Sequence, residues 1–189
     1  NGALQPAPAV TPGVPLVITG INVPAGGVAT VVYAAETNSF APLGDTASIV
    51  NTAVVSGTGI SDITVTETIT PENTAELTIS KSLNPTTVTE NGQLTYTFVI
   101  QNTGSEAVVV TDNAIVTDTF NPALNITGVT FNGTAWTSPA NYTYSEATGA
   151  FATNAGQITV PAATYTQNTD GTWTIQPGVS TLTVTGTII

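Results

Sequence analysis

The chain has 189 residues, 41% of them hydrophobic, and carries 12 Asp plus Glu against a single Lys, for a formal net charge of −11. That length and apolar content suffice for one or two folded domains. Cys and His are absent, which excludes a disulfide framework, a thiol nucleophile, an imidazole base and a Cys/His metal site, so no cofactor is expected. A lone basic residue excludes the phosphate-binding patch that a nucleic-acid partner needs.

Charged residues make up only 7% of the chain, against roughly 25% in ordinary soluble domains. The surface must therefore be covered by uncharged polar groups, chiefly Thr, Ser, Asn and Gln. Lack of Met and Cys, together with a single site for trypsin, fits an exposed extracellular setting. No apolar run approaches the ~20 residues of a membrane-spanning helix, so membrane insertion is not expected. No charged leader of an export signal is present, and any such signal or wall anchor is expected outside this sequence.

Along the chain, turn signals stand at Asn1-Gly2, Pro12-Gly13 and Ala25-Gly26-Gly27. Two strands are predicted at about Thr46–Ser56 and Ile60–Ile69. In the first, Ile49, Asn51, Ala53 and Val55 share one face; in the second, Ile63, Val65 and Ile69 alternate with Thr64, Thr66 and Thr68. The stretch Ala75–Leu83 reads as a strand with Ala75, Leu77, Ile79, Lys81 and Leu83 on one face. After the Asn91-Gly92 turn, Gln93–Asn102 sets Leu94, Tyr96, Phe98 and Ile100 against Gln93, Thr95, Thr97 and Gln101. Further on, Asp118 shares parity with Val116 and Phe120. Asn132-Gly133, a hairpin region at Tyr142–Gly156, and Asp170-Gly171 lead to a last strand, Ser180–Ile188. There Leu182, Val184 and Ile188 oppose Thr181, Thr183, Thr185 and Thr187. Branched residues favour such pleated, half-buried surfaces. No 3.6-residue apolar period persists, so the expected fold is an all-β, immunoglobulin-like antiparallel sandwich with essentially no helix.

An internal likeness organises these elements. Asn1-Gly2 matches Asn132-Gly133, and Pro24–Val32 resembles Pro177–Val184. Residues 1–33 and 132–189 are thus expected to be versions of one element, the second carrying an insertion in the 142–156 region. On this reading residues 1–74 are the C-terminal part of one repeat, including its closing strands. Residues 75–189 are the N-terminal part of the next, without theirs. An open sandwich leaves unpaired strand edges and an exposed apolar face, so a closing element is expected.

Lys81-Ser82-Leu83-Asn84-Pro85, then Gly92, Leu94-Thr95-Tyr96-Thr97-Phe98 and Asn102-Thr103-Gly104, resemble the conserved surface-repeat domain of bacterial cell-surface proteins. Val116-Thr117-Asp118-Thr119-Phe120 continues the likeness, and Asn51-Thr52-Ala53-Val54 resembles the late strand of such a repeat. The resemblance implies tandem immunoglobulin-like sandwiches on a bacterial surface, without an assigned activity.

Candidate chemistry is sparse. Asp112, Asp118 and Glu106 match neither the paired carboxylates of a glycosidase nor a calcium loop. Asn125, Asn132 and Asn141 open glycosylation sequons, which Thr-rich sequence produces by chance. Trp136, Trp173, Tyr142, Tyr144 and Tyr165 form either a sugar-binding face or ordinary packing. Lys81 is the informative residue, since its parity directs it toward the core. Burial strips an ammonium of hydration and favours the neutral, nucleophilic amine. Lys81, Asp118 and Asn51 facing one core would be the parts of a spontaneous isopeptide bond. The alternative is a Lys81 that reaches water at the strand end or pairs with Asp118.

The expected role is non-enzymatic: a structural subunit of an extracellular filament or surface array, with copies of itself as partner. Head-to-tail assembly would proceed by exchange of the strands carrying Ile49, Asn51, Ala53, Val55, Ile63 and Val65. A stalk or adhesin module binding a host glycan or protein through loops such as 132–156 is the alternative.

Overall fold

The computed structural model describes residues 10–44, 47–89 and 91–189. Strands occupy 47% of the chain and helix 2%; the helical part described is one 3-10 turn, Val110–Asp112. The protein is all-β with antiparallel sheets, as its period-two patterning requires. The predicted turn at Asn1-Gly2, the residue Thr46 and the start of the first repeat copy lie outside the described residues.

By contact the chain divides into two units, Asn1–Asn38 and Ser39–Ile189, so the division falls well before the expected 74/75 boundary. Among its described residues the first unit contains a short antiparallel pair, β1 (Val10–Thr11) with β2 (Val17–Ile18). Here the expected repeat fails. Pro24–Val32 forms no strand, and Val28 and Val32 are exposed. Its sequence counterpart lies in β14 (Gly178–Ile188), a central strand. β14 is flanked on both sides by strands that pair with it, whereas Pro24–Val32 shows no strand pairing among the described residues.

The second unit opens with a hairpin, β3 (Ile49–Gly57) and β4 (Ile60–Ile69), turning at Gly59 with φ 79°. Among the described residues these strands pair with each other and with no other strand. The remainder is a two-layer sandwich. One layer is a five-stranded sheet in the order β5 (Leu77–Asn84), β6 (Gln93–Asn102), β14, β8 (Leu124–Phe131), β9 (Thr134–Trp136). The other contains the three-stranded sheet β10 (Tyr142–Ser145), β11 (Ala150–Thr153), β7 (Thr117–Thr119). β12 (Thr164–Gln167) and β13 (Trp173–Gln176) form a separate antiparallel pair.

The core follows the predicted parity. Leu94, Phe98 and Ile100 of β6, Leu182 and Val184 of β14, and Leu124, Val129 and Phe131 of β8 are buried against Phe120, Tyr142 and Phe151 of the facing layer. On the outer face, threonine hydroxyls bond across strands, Thr95 to Thr185 at 2.9 Å and Thr130 to Thr183 at 2.6 Å. These pairs let an almost uncharged surface satisfy its polar groups. Asn132 and Gly133 both adopt positive φ, 48° and 80°, which closes the tight turn between β8 and β9.

One buried polar residue ties the sandwich to the strand that enters it. Asn102 is fully buried; its Oδ1 accepts from the Glu76 and Gly104 amides at 3.0 and 2.9 Å. Its Nδ2 donates to the carbonyls of Glu106 and Pro161 at 2.7 and 3.0 Å. Asn102→Ala would orphan these backbone groups and should lower unfolding free energy by about 2–4 kcal/mol. Gly149 (φ 71°) is equally constrained, because a Cβ there would lie 2.0 Å from the Phe120 carbonyl oxygen. Gly149→Ala is expected to cost a similar amount, about 2–4 kcal/mol. Urea unfolding of the two variants against the parent checks both values.

Candidate assembly groove

The two layers do not close along one side. β5 is the edge of the five-stranded sheet and β7 the edge of the three-stranded one. β7 meets β11 through Val116, Asp118 and Phe120: Phe120 N–H donates to the Gly149 carbonyl, and the Val116 carbonyl accepts from Thr153 N–H, both at 2.9 Å. Backbone groups of Thr117 and Thr119 therefore point to the other edge, where no strand pairs among the described residues, and the Thr119 N–H donates to Asp118 Oδ1 at 2.9 Å. On β5, Glu76 O accepts from Thr103 N–H at 2.9 Å, so the intervening odd residues present their backbone groups outward in the same way. Two unpaired edges thus flank one opening.

The floor of that opening is apolar. Leu77, Ile79, Lys81 and Leu83 stand opposite Asn102, Ile100, Phe98 and Tyr96 of β6 and share their core-facing side. Ile100 and Phe98 are buried, yet Leu77 is 44% exposed and Ile79 56%. These side chains lie on the correct face for a core but lack the strand that would cover them.

Lys81 crosses the opening. Its Nζ bonds the Asp118 Oδ2 carboxylate oxygen, joining β5 of one layer to β7 of the other. The same nitrogen lies 4.5 Å from the ring centre of Tyr96, 5.4 Å from Phe120 and 5.5 Å from Phe98, within cation–π range. Tyr96 and Phe120 stack with centroids 4.9 Å apart. The expectation that Lys81 is buried needs correction. Parity placed it on the core face, but its side chain is 39% exposed and that of Asp118 18%, because the layer above is incomplete.

Asn51 is not on this sandwich. It lies on β3 opposite Glu67 of β4, and the shared face of Ile49, Asn51, Ala53 and Val55 agrees with the predicted alternation. That face does not point into a core, since β3 beyond Ile49 and all of β4 are exposed. Val50, Val54, Val55, Ile60, Ile63, Val65 and Ile69 are each more than half exposed. Of the three proposed isopeptide residues, the structure thus joins Lys81 to Asp118 and leaves Asn51 on the hairpin.

Other candidates resolve into packing. Tyr142 belongs to the core, Trp136 stacks on Phe131 at 4.9 Å, and Tyr144 Oη accepts from the Leu124 amide at 2.7 Å. Tyr165 donates its hydroxyl to the Thr103 carbonyl at 2.9 Å. Tyr142, Tyr144 and Trp136 thus pack in or against the sandwich core, whereas Tyr165 and Trp173 lie on the β12–β13 pair with the same parity. Asp112 accepts from the Val109 amide at 2.7 Å and caps the 3-10 turn. Asn132 and Asn141 hold neighbouring backbone, at Thr181 and Thr137. The sequence reading missed Asn102 as a structural centre. Its signal was an Asn continuing the buried parity of Leu94, Phe98 and Ile100.

No protein-family model, curated protein or solved structure matches the chain.

Because the ion pair is partly exposed, it contributes modestly to the isolated subunit. Lys81→Met, which keeps the stem over Tyr96 and removes the charge, should change unfolding free energy by less than about 1 kcal/mol in urea titrations.

Proposed function

We propose that the protein is a structural subunit of an extracellular filament or surface array, assembled head-to-tail as each copy inserts its β3–β4 hairpin into the open side of the next. One observation carries this reading: a single chain holds both a sandwich with an uncovered apolar edge and a hairpin with uncovered apolar faces. Each is unfavourable alone, and each has the shape of the other's missing part.

Magnitudes favour strand addition over a simple apolar contact. Leu77, Ile79, Ile49, Ala53 and Val55 are already partly covered, so completing their burial gains only roughly 1 kcal/mol each. Association costs about 4–15 kcal/mol in lost freedom. Side chains on one face are insufficient, and the backbone hydrogen bonds offered by β5 and β7 supply the remainder. A contact of this kind uses different surfaces on the two partners, so it propagates into a fibre unless the rotation closes a ring. The packing of Tyr142, Tyr144 and Trp136 against the core gives less support to a sugar-binding face in the adhesin alternative. The bacterial surface-repeat resemblance of Lys81–Gly104 and Asn51–Val54 agrees with a surface setting.

The test separates donor from acceptor. Val55→Lys disables the hairpin and Ile79→Lys the groove, both at exposed positions that leave each subunit folded. Wild-type protein should form fibres in negative stain, whereas each variant alone should remain monomeric in sedimentation velocity. Mixed, they should give a 1:1 dimer and no fibre. A wild-type chain that stays monomeric at every concentration, or fibres persisting in either variant, overturns the proposal.

A further inference from the structure

We infer that insertion is sealed covalently, by an isopeptide bond between Lys81 of one copy and Asn51 of the copy that donates its hairpin. The inference rests on the assembly reading above and adds a chemical step to it.

Lys81 is the only lysine in the chain. Its placement is unlike that of a solubilising surface charge: Nζ lies against a carboxylate and among three aromatic rings, at the point where the two open edges approach each other. On the hairpin, one face of β3 reads Ile49, Asn51, Ala53, Val55, and Asn51 is its single amide. Along β5 the face reads Leu77, Ile79, Lys81, Leu83, with the same two-residue spacing. Setting Asn51 beside Lys81 therefore places apolar residues over apolar residues on either side. With β3 antiparallel to β5, Ala53 falls over Ile79, Val55 over Leu77 and Ile49 over Leu83. With the opposite direction, Ile49 covers Ile79 and Ala53 covers Leu83. In both cases the one polar side chain of the donor face meets the one polar site of the groove.

Docking supplies what the isolated subunit lacks. A strand over the groove excludes water from the Lys81–Asp118 pair. Two neutral partners then cost less than two charges, and the proton passes from Nζ to the carboxylate. The freed amine attacks Cγ of Asn51 while the protonated Asp118 hydrogen-bonds Oδ1 and polarises the carbonyl. The Nζ–Cγ bond forms and the Cγ–Nδ2 bond breaks. Nδ2 leaves as ammonia after taking a proton relayed by Asp118 from Nζ. With the remaining proton the products are an amide, ammonium and the regenerated carboxylate, so atoms and charge balance without any oxidant or co-reactant.

Fibres are boiled in SDS, run on a gel, and digested with trypsin after denaturation. A ladder of oligomers is expected, each link lowering the mass by one ammonia, and a Glu-specific protease should release a peptide joining Lys81 to Asn51. Trypsin, whose single site follows Lys81, should fail to cut linked chains. Lys81→Met and Asn51→Ala should still form fibres by microscopy, yet fall to monomer in SDS. Asp118→Asn should assemble and cross-link far more slowly. Wild-type fibres that dissociate to full-mass monomers overturn this inference while the filament reading stands. A monomer lighter by one ammonia would show a bond within the chain and overturn it also. Failure of the wild type to assemble at all removes the filament reading, and the inference with it.

Discussion

Everything distinctive about this protein follows from the unpaired edges of β5 and β7. A sandwich is stable when both sheets present apolar faces to each other and no buried edge is left without partners. Here the five-stranded sheet is complete on its β8–β9 side, and its central strands carry the core. On the β5 side the facing layer stops at β7, one strand too soon. Ile79 and Leu77 are exposed for that reason alone, since their sequence positions are those of core residues. The Lys81–Asp118 pair spans the same opening and links the layers where packing does not.

The rest of the architecture isolates this opening from the remainder of the fold. Asn102 fixes the end of β6 to the incoming segment at Glu76 and to the carbonyls of Glu106 and Pro161. That holds the start of β5 in register beside a core packed around Phe98, Phe120 and Phe151. The threonine pairs on the outer face serve the sheet's exterior without long charged side chains. The β5 edge is thus carried by a body with its own core, whereas the strands of the β3–β4 hairpin pair, among the described residues, with each other.

Much of this was legible in the sequence, for physical reasons. Strand side chains alternate with period two, so the boundaries of β6, the presence of β3 and β4 and the buried faces of β6 and β14 could be read from residues alone. The site was only half legible. Alternation states which face Lys81 occupies, but not whether a second layer covers that face. Coverage depends on contacts remote in sequence, so Lys81 proved partly exposed. The repeat failed for a related reason. Pro24–Val32 resembles the β14 sequence closely, yet a strand is stabilised by its neighbours, and that segment has none to pair with. Local likeness carries propensity, while the ladder that turns propensity into a strand is a property of the whole fold.

The scarcity of basic residues acquires a meaning in this setting. A chain with net charge −11 repels its own copies, and that repulsion acts over roughly the Debye length of about 8 Å at physiological salt. In the proposed assembly, attraction between copies would therefore come from short-range burial and backbone pairing, which are indifferent to net charge. Scattered lysines would add little to such a contact and would offer competing partners to acidic groups on neighbouring copies. One lysine, already engaged by Asp118 inside the groove, leaves no exposed positive patch for misdirected association. In the proposed assembly, repulsion elsewhere and apolar complementarity at one place would together favour a single mode of contact.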